Sequence, residues 1–157
     1  SSENIVPVEM KLDIVYEDED ILVINKPADT PIHPSQGNYD NSLANGVKHY
    51  YESRGESFVF RCINRLDRDT TGLVVIAKNM LSSAALNAAM VNREIHRTYL
   101  AVVKGELPEK GTIDFPIARK DGSTVERCVD MSAGEHAVTH FECVEKNEKY
   151  SLAKLNS

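Results

Sequence analysis

The 157-residue sequence has no apolar run long enough to cross a bilayer as a helix, so no helical membrane span is expected. Its first residues, Ser1-Ser2-Glu3-Asn4, lack the basic and then apolar form of a signal-peptide start. Only three cysteines occur, Cys62, Cys128 and Cys143, odd in number and widely spaced, with no Cys-x-x-Cys pair. This fits free thiols in a reducing cytoplasm better than a disulfide framework or a zinc site. There is no Gly-rich phosphate loop, no nucleotide-cofactor fingerprint, no internal repeat and no low-complexity tract. What remains is an ordinary globular composition, 41% hydrophobic and 27% charged, long enough for one domain with a core of its own.

Net charge is −6, which by itself argues against a polyanionic partner. The distribution is uneven. Residues 54–104 hold eight basic groups against four acidic ones, a local +4 within an acidic chain. One basic central segment on an acidic body is compatible with a polyanion gripped at a single place.

Residues 1–10 have little periodicity and read as a tail or linker stub, with residues 11–157 forming the domain. Leu12–Tyr16 and Ile21–Ile24 read as strands joined by Glu17-Asp18-Glu19-Asp20, most simply a solvated hairpin tip. Asp40 or Asn41 can cap a helix carrying Leu43, Val47 and Tyr50 or Tyr51 on one face, with Gly55 as its stop. Phe58–Ile63 and Gly72–Ala77 read as strands. Asn79 can cap a second helix in which Leu81, Ala84, Ala85 and Ala88 recur at helical spacing, ending at Asn92. His96–Lys104, Thr112–Ala118, Val125–Val129, Ala137–Val144 and Tyr150–Leu155 complete a strand-rich second half. The expected class is α+β, a mixed and mainly antiparallel sheet with two or so flanking helices. Tyr150–Leu155 lies within a strand pattern when the sequence stops, so the chain reads as a fragment.

The chemistry gathers in Ile63-Asn64-Arg65-Leu66-Asp67-Arg68-Asp69-Thr70-Thr71-Gly72, a charged loop between two strand-like runs. Charged residues on a loop between strands are more suggestive of function than the same residues on a helix face. The plain reading of Asp67 and Asp69 is a capped turn, with Arg65 and Arg68 as surface partners. Asp67-x-Asp69-x-Thr71 also matches the D-x-D-x-T nucleophile of Mg-dependent phosphohydrolases. That motif requires a clean apolar strand just before it, which Asn64 and Arg65 interrupt. His136 and His140 would share a face in a helix, but Val138, Phe141 and Cys143 read as strand, so no metal site is expected.

Residues 64–73 resemble the H-R-L-D-x-x-T-S-G-L signature of the RluA-type pseudouridine synthases. Tyr16–Pro27, continuing through Pro31-Ile32-His33-Pro34, resembles that family's first motif. Arg97–Gly105 resembles its lysine/arginine-x-tyrosine strand. The resemblance implies an isomerase that converts specific uridines of structured rRNA or tRNA stem-loops to pseudouridine, without cofactor or metal. It implies Asp67 as the essential aspartate that forms a covalent adduct with the substrate, and Tyr99 as the tyrosine stacked on the target base. Arg65 would fill the stack when the nucleotide is extruded. Arg68 and Arg97 would contact RNA, Arg68 through phosphate or as a surface ion pair. Asn64 stands where the family most often has His, and Thr71 where it has Ser. The family's G-R-T-H-Q-I-R-type motif, whose basic residue pairs with the aspartate, is not among these residues. The expectation is therefore a C-terminally incomplete catalytic domain, poorly active alone, with RNA binding without catalysis as the alternative.

Overall fold

The computed structural model describes the backbone of residues 4–119, 127–129 and 135–156, and the side chains of 4–113 and 139–156. The elements follow in the order β1 (Ile14–Glu17), β2 (Ile21–Lys26), α1 (Leu43–Glu52), β3 (Arg61–Cys62), β4 (Gly72–Ala77), α2 (Met80–Val91), β5 (Thr98–Lys104), β6 (Lys110–Arg119), β7 (Arg127–Val129), β8 (Glu135–Lys146) and β9 (Tyr150–Asn156). They form two compact units, residues 1–94 and 95–157. Every strand pairing among the described residues is antiparallel, in sheets ordered β1-β2-β4-β3 and β5-β9-β8-β6-β7. The α+β expectation holds.

In the first unit, β2 runs down the middle because its alternate residues are apolar and can be covered. Leu22, Ile24 and Lys26 share one pleat face and are wholly buried. Opposite them on β4, Val74 and Ile76 are buried on the same side. Helix α1 covers this face with Leu43, Val47 and Tyr51, four residues apart and so on one helical stripe. Each such aliphatic side chain contributes about 1.5–3 kcal/mol of transfer free energy, enough to fix the register of β2 on β4. The helix cap is Ser42, not Asp40 or Asn41. Asn45, three residues on, takes the Ser42 backbone N–H at 2.9 Å while the Ser42 hydroxyl accepts from the Asn45 N–H. The reciprocal capping box selects that start.

The segment read as a tail lies along α1. Val8 N–H donates to the Asn45 carbonyl at 3.1 Å, the Asn45 amide donates to the Val6 carbonyl at 2.8 Å, and the Met10 side chain covers Gly46. Phe58 to Phe60 is not strand. Phe58 stacks on Tyr51 with centroids 4.3 Å apart, and Phe60 meets His33 edge-on at 5.2 Å, so their alternation reflects packing and not a ladder. The hairpin between β1 and β2 is present, but its first acid is half-buried and bonded to the protein. Glu17 Oε1 accepts the Tyr50 hydroxyl at 2.7 Å, and Oε2 accepts Tyr51 at 2.7 Å and Lys78 Nζ at 3.0 Å.

Helix α2 has its expected Asn79 cap, with Ser82 closing the box. Its orientation differs from expectation. Leu81, Ala84, Ala85 and Ala88 are exposed, and the sheltered side is Ser82, Leu86, Ala89 and Met90. Ser82 fixes the rotation by donating to the Asp20 carbonyl at 2.9 Å.

In the second unit the β5–β9, β8–β9 and β6–β8 ladders form the body of the sheet. Gly111 pairs with Phe141, and a Cβ at Gly111 would fall 2.7 Å from the Phe141 ring, so that ring packs where only glycine leaves room. Cys62 and Cys143 are free thiols. The side chains of Cys128 and His136, and residues 125 and 126 of the expected Val125–Val129 strand, lie outside the described residues.

Candidate active-site loop

Two side chains hold the ends of the 63–71 loop. Asn64 acts as a substitute strand residue: its Oδ1 accepts the Val75 N–H at 2.8 Å and its Nδ2 donates to the Leu73 carbonyl at 2.9 Å. It thereby extends the short β3–β4 ladder by one residue pair beyond Ile63, whose N–H bonds the Val75 carbonyl at 2.8 Å. Cys62 closes the same corner by donating its thiol to the Asn64 carbonyl. Burial pushes the Cys62 thiol up to about 12, against the pull of Arg65, so it stays protonated and is no nucleophile.

Beyond this corner the chain alternates. Leu66 turns inward against the core, while Arg65 and Asp67 on either side of it are exposed. An apolar residue between two charged ones thus anchors a loop whose charges face solvent. Asp67 opens a turn, its carbonyl accepting the Thr70 N–H at 3.0 Å, and its carboxylate makes no ion pair among the described residues. Arg68 Nε pairs with Asp29 Oδ1 at 2.8 Å, both side chains substantially exposed. The Arg68 carbonyl accepts from Thr30 N–H at 3.1 Å and from Lys26 Nζ at 2.8 Å, joining this loop to the one that follows β2.

His33 lies on that neighbouring loop. Burial holds its imidazole below the usual histidine range, and the positive charge of Arg65 adds to the effect. A depression of about 370 Å³, bordered by Met10, Asp13, Ile24, Asp29, Thr30 and Leu43, does not include Asp67.

Gly72 ends the loop at φ 134°, where side-chain-bearing residues are strained, and pairs with Lys26 across the β2–β4 ladder. A Cβ there would meet only Leu66 Cδ1, at 3.8 Å, so space is not what requires glycine. Gly72→Ala should cost about 1–3 kcal/mol in urea unfolding, from backbone strain alone. A loss below about 0.5 kcal/mol would show that the backbone relaxes without penalty.

Of the other sequence-identified residues, Tyr99 sits on β5 of the second unit, half-buried on the face it shares with Ala101 and Val103. It pairs with Leu155 of β9. Arg97 is exposed just before that strand. Arg65, Asp67 and Arg68 are therefore brought onto one loop of the first unit, and Tyr99 and Arg97 onto one strand start of the second. The residue that the sequence reading passed over is Lys26. The period-2 pattern Leu22, Ile24, Lys26 was the available signal, since it places the lysine on the buried face.

The family model described as RNA pseudouridylate synthase matches residues 20–157. Ribosomal large subunit pseudouridine synthase D of Escherichia coli is 42% identical over 149 residues, covering 95% of this chain and 45% of that protein. The uncharacterized RNA pseudouridine synthase YhcT of Bacillus subtilis is 38% identical over 155 residues, covering 97% of this chain and 51% of that one. The chain thus spans about half the length of the curated relatives it matches. Among solved structures, human RNA pseudouridylate synthase domain containing 1 superposes with a TM-score of 0.74 over 93% of this chain and 59% of that one, at 22% identity. That likeness concerns the fold.

Proposed function

Because the chain belongs to the RNA pseudouridylate synthase family, we propose that it acts in the isomerisation of a uridine of structured RNA, an rRNA or tRNA stem-loop, to pseudouridine. The reaction breaks the N1–C1′ bond, forms a C5–C1′ bond and moves a proton from C5 to N1. Nothing is oxidised and no group is lost, so no cofactor and no metal is required.

The observation that carries the reading is Asp67: an exposed carboxylate on a loop anchored by Leu66 and flanked by Arg65 and Arg68. A carboxylate so placed is free to meet a nucleotide that has left its stack, and Asp67 then acts on it as nucleophile or base. Arg65 fills the vacated stack, offsetting part of the few kcal/mol that extrusion costs. Arg68 can exchange its exposed Asp29 partner for a phosphate, since a surface ion pair is worth about 1 kcal/mol at most. Tyr99 stacks on the target base and Arg97 contacts the backbone. The free Cys62 and Cys143 support a reducing compartment, the cytoplasm, as the place of action.

Incubating the full-length protein with unmodified rRNA and tRNA transcripts in EDTA tests this. The expected result is pseudouridine at discrete positions, read as chemical-adduct stops in primer extension. RNA retention with no pseudouridine would assign binding alone, and Mg²⁺-dependent phosphate release from a generic phosphoester would assign the D-x-D-x-T chemistry instead.

A further inference from the structure

Lys26 is the one charged side chain with no exposed surface among the described residues. Burying an ammonium group is costly, and the usual remedy is a carboxylate in contact. Among the described residues Lys26 has none within ion-pair distance. Its Nζ instead donates to three backbone carbonyls, Pro27 at 2.9 Å, Thr30 at 2.9 Å and Arg68 at 2.8 Å. Three acceptors match the three N–H bonds of an ammonium; a neutral amine offers only two. Burial pulls the pKa of this lysine below its usual range, and the charges of Asp69 and Asp67 act to raise it again. Both loop carboxylates are thus close enough to feel Lys26.

The position of the third carbonyl decides what the arrangement does. Pro27 and Thr30 belong to the loop after β2, whereas Arg68 is the residue after Asp67. The Arg68 carbonyl also takes the Thr30 N–H, so the two loops meet at one oxygen. A methionine would fill the same channel without the desolvation cost. It could not hold that oxygen, nor place a positive charge behind the loop.

We infer that Lys26 is a positioning residue for the Asp67 loop, its buried ammonium clamping the peptide that follows Asp67 so that the carboxylate is presented to the nucleotide in one orientation. This rests on the reading of Asp67 as the reacting carboxylate. The test compares Lys26→Met and Lys26→Arg in the full-length protein, by amide hydrogen exchange and by single-turnover pseudouridine formation.

In Lys26→Met the Thr30 and Thr70 amides should exchange at least about tenfold faster while the β2–β4 ladder stays protected. Turnover should fall about 100-fold, the effect of a reacting group misplaced by an ångström. RNA affinity should stay within about threefold, because phosphate contacts dominate it. Lys26→Arg, which keeps the charge and donors in a different geometry, should lie between Lys26→Met and wild type; if Lys26→Met does not fold, it is read alone. Unchanged Thr30 and Thr70 exchange, or loosened amides with wild-type turnover, overturns the proposal. Failure of both variants to fold also overturns it, making Lys26 a core residue only. A wild-type protein that makes no pseudouridine defeats the functional reading separately, while the exchange comparison still decides the clamp.

Discussion

Asp67→Ala should lower pseudouridine formation by at least about 10⁴-fold in the full-length protein, the scale seen when a nucleophile or base is removed outright. It should also abolish the covalent adduct with 5-fluorouridine RNA, and leave RNA affinity within about threefold of wild type. The structural part of Asp67 is its carbonyl, which accepts the Thr70 N–H and survives in alanine. Its side chain is exposed, so its removal leaves no cavity and no unsatisfied buried group. Leu66, the Asn64 bridge and the Lys26 bond to Arg68 all remain to hold the loop. Loss of one negative charge beside Arg65 and Arg68 favours RNA if it acts at all. Should affinity fall as far as turnover, Asp67 is structural and the assignment is wrong. Asp69→Ala is the comparison: it should cost turnover far less than Asp67→Ala, whereas the D-x-D-x-T chemistry needs both carboxylates.

How much of this was legible in the sequence depended on whether the residue's own chemistry or its surroundings set the outcome. The β-branched runs of β2 and β4 are strands because nothing else buries such residues so regularly, and both were readable. The Asn79 cap was readable because capping is local. The rotation of α2 was not. Periodicity defines an apolar stripe but not where it points, and one hydroxyl bond from Ser82 to the Asp20 carbonyl turns Leu81, Ala84 and Ala88 outward. Phe58 and Phe60 mimicked a strand because ring packing on Tyr51 and His33 has the same spacing as a ladder. At the site, Arg65, Asp67 and Arg68 came from a motif. Lys26 was hidden by the rule that lysine is exposed, although its pleat parity with Leu22 and Ile24 contradicted it. Glu17 was hidden the same way, as one of four acids in a row, when its partners lie on α1 and at the end of β4.

That hidden contact has the larger consequence for stability. Glu17→Gln should destabilise the first unit by about 2–4 kcal/mol at pH 7, the range for leaving partly buried donors and a cation without their acceptor. The carboxylate accepts from Tyr50, Tyr51 and Lys78 at once, and Arg54 lies 3.7 Å from Oε1. Glutamine supplies a single acceptor oxygen, and its amide turns a second donor toward hydroxyls that already donate. Tyr51 cannot compensate, because burial and then Glu17 itself hold its phenol in the protonated form, and its oxygen is out of reach of water. For Glu17, burial opposes ionisation, but the bonds from Tyr51, Tyr50 and Lys78 outweigh it and hold the carboxyl below its usual value of about 4.5. A lowered folded-state pKa means fewer protons bound in the native protein than in the unfolded chain. The stabilisation is therefore complete above the usual glutamate range and is lost as pH falls through the folded value. Urea melts of both proteins stepped from pH 7 to pH 3 should show the gap between wild type and variant closing at the acid end. A gap that stays constant over that range would mean that shape, and not the ionised carboxylate, joins β1 to α1 and β4.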